Sequence, residues 1–174
     1  MRSSFPWRKF TPAQISLMER LSGSGGALPY EDLAYREIVA SEELRKLRLV
    51  DLKPSGRSKL AIIVTEKGQT LIADGYRTDQ IVVRVTAPQI DLLRHLNNAP
   101  SEDSVGQPIN ELQGVTLDVC RRMSLRGWVE WYDGYYGSRW ARLTAAGREV
   151  LEAIDALDEA IAEMNEARRL GPLH

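Results

Sequence analysis

WVEWYDGYYGSRWARLT, residues 128–144, holds six of the chain's twelve aromatic side chains within thirteen positions: Trp128, Trp131, Tyr132, Tyr135, Tyr136 and Trp140. Two short runs of β-type residues flank Gly134 and Gly137, so the stretch reads as a hairpin. It runs into LTAAGREVL (143–151), a helix capped by Thr144. A hairpin that delivers a capped helix decides the fold, because the chain contains it twice. LVDLKPSGRSKLAIIVT (49–65) is the other hairpin, turning at Gly56, and VTEKGQTLI (64–72) is the helix it leads into.

The duplication extends upstream. FTPAQISLMERL (10–21) aligns with VTAPQIDLLRHL (85–96) at an offset of 75, sharing a threonine, a glutamine, an isoleucine and two leucines. Beyond NNAPSEDSVGQP the offset becomes 79: EDL (31–33) meets NEL (110–112), and LVDL (49–52) meets WVEW (128–131). The chain therefore holds two copies of a unit of about 70 residues, joined by YRTDQIVV (76–83). Two copies make a tandem protein rather than a solenoid.

Each copy has one plan. Thr11-Pro12 and Thr86-Ala87-Pro88 open a helix. Ile15, Leu17, Met18 and Leu21 stripe the first; Ile90, Leu92, Leu93 and Leu96 stripe the second. A Gly/Ser/Asn/Pro turn follows, then a second helical stretch, ASEELRKLRL (40–49) or TLDVCRRMSL (116–125), then the hairpin and the closing helix. This order resembles a winged helix-turn-helix, most closely the MarR-type regulators. In those proteins the wing's second strand enters a helix with the pattern LTxxGxxxL, and the recognition helix passes into the wing through a segment like LRKLRLVDL or RRMSLRGWVEW. The resemblance covers most of the chain. It implies a mainly α, α+β fold: winged-helix domains over 1–78 and 79–148, and a C-terminal helix over 149–174. The copies depart from it in one respect. Leu33 to Val50 and Leu112 to Val129 each span seventeen residues, tight for a positioning helix plus a full recognition helix. The first of these must shrink to a single turn, or YEDLAYRE and PINEL must serve as short surrogates.

Charge separates the copies. Residues 1–85 carry 14 Lys+Arg against 10 Asp+Glu, and residues 86–174 carry 9 against 14. In the first copy, Arg45, Lys46 and Arg48 lie on or just past the expected recognition helix, and Lys53, Arg57 and Lys59 surround the wing turn. Cations on two adjacent elements suit phosphate contact; the bland reading is a solvated surface. In the second copy, Arg121 and Arg122 sit on the corresponding helix, with Arg126 beside them and Arg139 and Arg142 on the wing. Tyr135 and Tyr136 tip that wing next to Asp133, which phosphate would repel. They fit a protein partner, stacking on bases, or plain packing. Trp128 and Trp131 align with Leu49 and Leu52 and read as core. The arm MRSSFPWRKF reads as a strand-like lead-in, with Trp7 and Phe10 aligned on Val82 and Val85; entry into a DNA groove is its rival reading.

Val150, Ile154, Leu157, Ile161 and Met164 recur with 4-3-4-3 spacing along the last helix, an a/d seam. Terminal-helix dimers of MarR-like proteins favour self-association there; the alternative is a helix folded back on its own chain. Enzyme chemistry has little support. His95 and His174 are the only histidines, Cys120 sits in an apolar helical run without a nearby base, and GSGG (23–26) lacks the Lys of a phosphate loop. No cofactor, catalytic residue or metal site is expected. No apolar run approaches membrane-span length, and the N-terminus lacks a secretory pattern, so a cytoplasmic location is expected. The expected function is a DNA-binding regulator or accessory factor that contacts duplex DNA through the first copy. The alternative is a protein-interaction adaptor or inhibitor that does not touch DNA.

Overall fold

The computed structural model describes residues 3–98, 105–134 and 137–171. The chain is α+β: helices and small antiparallel sheets repeat in the same order in two units. The first unit comprises β1 (Ser4–Trp7), α1 (Pro12–Gly23), β2 (Ala27–Pro29), α2 (Tyr35–Lys46), β3 (Val50–Pro54), β4 (Leu60–Val64) and α3 (Glu66–Ala73). The second comprises β5 (Val83–Thr86), α4 (Ala87–Leu96), β6 (Gln107–Pro108), α5 (Val115–Arg126), β7 (Val129–Asp133), β8 (Arg139–Leu143) and α6 (Ala145–Leu170).

Helix starts follow from the local sequence. Thr11 Oγ1 accepts from the Gln14 N–H, and Gln14 Oε1 accepts from the Thr11 N–H, a reciprocal capping box. Thr86 and Gln89 repeat it at α4. Proline in the first turn of each helix has no N–H to leave unsatisfied. The missing helix is resolved as the spacing required. A single 3-10 turn, Tyr30–Asp32 or Ile109–Glu111, precedes the second α-helix of each unit, α2 or α5. In the first unit that helix starts at Tyr35, earlier than expected, so part of YEDLAYRE belongs to α2 itself.

Each unit has a three-stranded sheet with the hairpin's second strand in the middle, in the orders β2-β4-β3 and β6-β8-β7. The registers Val50↔Val64 and Val129↔Leu143 put these four side chains on the inner face. Leu17, Met18, Leu21, Leu44 and Ile62 fill the first unit; Leu93, Leu96, Cys120, Met123, Trp128 and Ile154 fill the second.

The units are not separate bodies. β1 pairs antiparallel with β5, from Ser4↔Thr86 to Trp7↔Val83, so the lead-in strands of the two copies form one ribbon. Phe5, Trp7, Val83 and Val85 on that ribbon join both interiors into one hydrophobic cluster. Within the aromatic arm, Ser4–Trp7 is therefore a paired strand, and Phe5, Trp7 and Phe10 are buried rather than free to enter a groove. α6 runs unbroken across the boundary expected at 148. Gly147, Val150, Leu151 and Ile154 on it are buried in the second unit's core.

Candidate nucleic-acid interface

The first unit's cations cluster around the end of α2. Arg45 and Lys46 occupy its last turn, where cations oppose the negative end of the helix dipole. Arg48 follows with φ of 61°, a left-handed conformation that non-glycine residues seldom adopt. The equivalent position in the second unit is Gly127, with φ of 87°. Thr65 holds this corner: its hydroxyl donates to Arg48 O at 2.7 Å and accepts from Gly68 N–H at 3.1 Å. Lys67, from the first turn of α3, donates to Leu47 O at 3.0 Å. It thus stands beside Lys46 and Arg48 on a shallow cavity of about 470 Å³. Sequence reasoning missed Lys67, because only the packing of α3 under the hairpin brings it to the end of α2.

On the first hairpin, Lys53 leaves β3, while Arg57 and Lys59 flank a tight turn closed by Ser55 N–H to Lys59 O at 2.9 Å. All six expected cations of this unit are exposed. Lys59 pairs with Glu31 at 3.4 Å. Arg45, Lys46, Arg48, Lys53 and Arg57 make no ion pair among the described residues.

The second unit is built differently. Arg121 pairs with Asp118 at 3.4 Å, Arg139 with Asp133 at 3.8 Å, and Arg142 with Glu130 at 2.6 Å. Arg142 also lies 4.4 Å from the Tyr132 ring centroid. Arg126 points to the other unit and pairs with Glu43 of α2 at 3.3 Å. Arg122 is exposed and forms no ion pair among the described residues. Arg121 and Arg122 are thus not assembled into a free cationic surface like that of the first unit. Tyr135 and Tyr136, the expected partner-binding tip, lie outside the described residues.

The described tryptophans Trp128 and Trp140 of the second hairpin resolve as packing and a local hydrogen bond. Trp128 is buried under the Arg126 guanidinium, 5.3 Å from its ring centroid. Trp140 donates through Nε1 to Ser138 Oγ at 2.9 Å. Cys120 is fully buried, and burial pushes its thiol up to about 11, so it is a neutral core side chain at ordinary pH. His95 is exposed, and no group of His, Cys, Asp and Glu among the described residues is arranged to hold a metal. No helix among them is long and apolar enough to cross a membrane.

The expected dimer seam divides in two. Val150 and Ile154 are in the core and are not available to a partner. Leu157, Ile161 and Met164 are 37%, 40% and 56% exposed. Comparison with family models, with curated proteins and with solved structures finds no match.

Proposed function

We propose that the protein binds duplex DNA through its first unit, as a regulator or accessory factor in the cytoplasm, with the wing and the end of α2 on the phosphate backbone. The observation that carries this reading is the contrast between the units. Five exposed cations of the first have no acidic partner among the described residues, whereas the matching wing of the second is neutralised by its own carboxylates. Unpaired cations on two neighbouring elements are free to displace condensed counterions. The resemblance to MarR-type winged helices supports the same assignment. Base-edge reading by α2 has weaker support. Glu42 lies on its exposed side, and Arg36 in its first turn is already bonded to Ser124 O at 3.1 Å. Backbone contact with modest sequence preference fits this surface.

The test is fluorescence anisotropy of a labelled random-sequence duplex across salt concentrations. If all five cations meet phosphates, log K falls with log salt at a slope of about −4.5, roughly a 500-fold loss from 50 to 200 mM. The double substitution Arg45→Glu with Lys46→Glu should abolish binding. A duplex that fails to bind at low salt refutes the reading.

The second reading is an adaptor that contacts protein instead. It is favoured by the α6 tail, which projects an apolar stripe from an otherwise finished fold. Self-association through Leu157, Ile161 and Met164 is compatible with both readings.

A further inference from the structure

We propose that the groove between α4 and α5 in the second unit is a docking site for a basic, leucine-bearing helical segment of a partner protein. It lies on the copy that duplex binding does not use, so the inference goes beyond that reading. The groove has a volume of about 420 Å³. One wall is α4, with Pro88, Asp91 and His95. The other is the 3-10 turn and the start of α5, with Glu111, Val115 and Val119.

The two copies differ at this place in a way that leaves the second one open. In the first unit Arg20 of α1 pairs with Glu37 of α2 at 2.6 Å and ties the two helices together. The aligned residues of the second unit are His95 and Thr116, which form no such bridge. Arg36 of the first unit is spent on Ser124 O at 3.1 Å. Its counterpart is Val115, which opens α5 and is 75% exposed. Pro88 is exposed and Val119 half-buried, so the apolar surface continues on both sides of the groove. Leu92 and Leu112 close its base from the core.

The charge of the groove selects its occupant. Asp91 and Glu111 put one exposed carboxylate on each wall, and neither makes an ion pair among the described residues. Among those residues no lysine or arginine lines the groove. An apolar strip with an unmatched carboxylate on either side is complementary to an aliphatic side chain flanked by cations. An amphipathic helix presents that pattern on one face. Exposed ion pairs contribute little each, so the aliphatic contact holds the segment while the carboxylates reject acidic ones.

Fluorescence anisotropy of the full chain tests this with three labelled amphipathic peptides of one length and pattern: arginine with leucine, arginine with alanine, and glutamate with leucine. The arginine–leucine peptide should bind saturably, about tenfold or more tighter than the other two. Asp91→Lys with Glu111→Lys, on exposed side chains, should abolish that binding and let the glutamate–leucine peptide bind instead. Val115→Ala, at an exposed helical position that alanine suits, should weaken the arginine–leucine peptide about fivefold. Absence of saturable binding overturns the proposal. So does equal binding of the two arginine peptides, which would show charge attraction alone. Binding that survives the double substitution also overturns it, by placing the peptide elsewhere, as on the acidic face of α6. None of these outcomes bears on duplex binding by the first unit.

Discussion

Gly68 and Gly147 explain at single-residue scale why a hairpin is followed by "T-x-x-G". Each stands in the first turn of the closing helix, where the residue leading into the hairpin's first strand passes beneath it. A Cβ added at Gly68 would lie 2.2 Å from Leu49 O, and one at Gly147 would lie 2.0 Å from Trp128 O. The same carbonyls accept from the Thr65 and Thr144 N–H groups at 3.0 Å, so they cannot retreat without breaking the cap. Gly147→Ala should therefore destabilise the fold by about 3 kcal/mol, the upper part of the range for overpacking, measured by urea unfolding. Arg48 presents the opposite case. It occupies a left-handed position that the second copy gives to glycine, with a cost of roughly 1 kcal/mol in local strain. Arg48→Gly should raise stability by up to about 1 kcal/mol while weakening duplex binding at low salt. A variant that is no more stable would show that the corner is unstrained.

At the scale of elements, α6 is two helices in one. Its first turns bury Gly147, Val150, Leu151 and Ile154, and Arg94 of α4 ties it down through Asp155 and Asp158, both at 3.0 Å. From Glu159 to Leu170 every position is exposed, a projection of about 18 Å. Such a segment is too short to be a stable helix alone and draws its nucleus from the anchored half. Leu157, Ile161 and Met164 continue the spacing of Val150 and Ile154 past the point where the chain's own core ends. A second copy of this stripe is its proposed partner. Sedimentation equilibrium should give a dimer for the native chain and half that mass for Ile161→Asp with Met164→Asp. A native chain that stays monomeric at tens of micromolar would end the proposal.

At the scale of the whole molecule, a polar bridge locks one unit to the other. Gln14 Nε2 donates to Glu43 Oε2 at 2.7 Å, Arg126 pairs with Glu43 at 3.3 Å, and Arg126 Nη1 reaches Gln89 Oε1 at 3.4 Å. Gln14 and Gln89 are the two capping-box glutamines, related by the repeat, so each unit's first helix is tied to the same central ion pair. Both ends of that pair are more than four-fifths buried, at 18% and 19% exposure. Removing one partner of a largely buried pair strands the other, so Arg126→Ala should cost about 3 kcal/mol. Glu43→Ala should cost a similar amount, and the double variant less than the sum, since the two losses share one interaction. Additive losses in denaturant unfolding would show that the bridge does not couple the units. The α2–α5 contact made by this bridge and by Arg36 also bears on function. It sets α2 against α5, leaving the first hairpin and the end of α2 as the first unit's open basic surface.

What could be read along the chain was whatever depends on near neighbours. The two-copy plan, the capped helices, both hairpins and the shortened turn before α2 all follow from spacings of a few residues, because caps, turns and hairpins are local structures. The core role of Trp128 was legible through its alignment with Leu49, and the lead-in strand through Trp7 and Phe10. The functional surfaces were legible only in outline. Six cations could be named from position, but not which of them find carboxylates. Arg126 meets Glu43 across 83 residues, and Lys67 reaches the end of α2 from the next helix. The seam on α6 was continuous in sequence, yet the fold divided it between core and solvent. Pattern records the periodicity of each element. Which faces meet, and which charges are left unmatched, depends on distances that the chain acquires on folding.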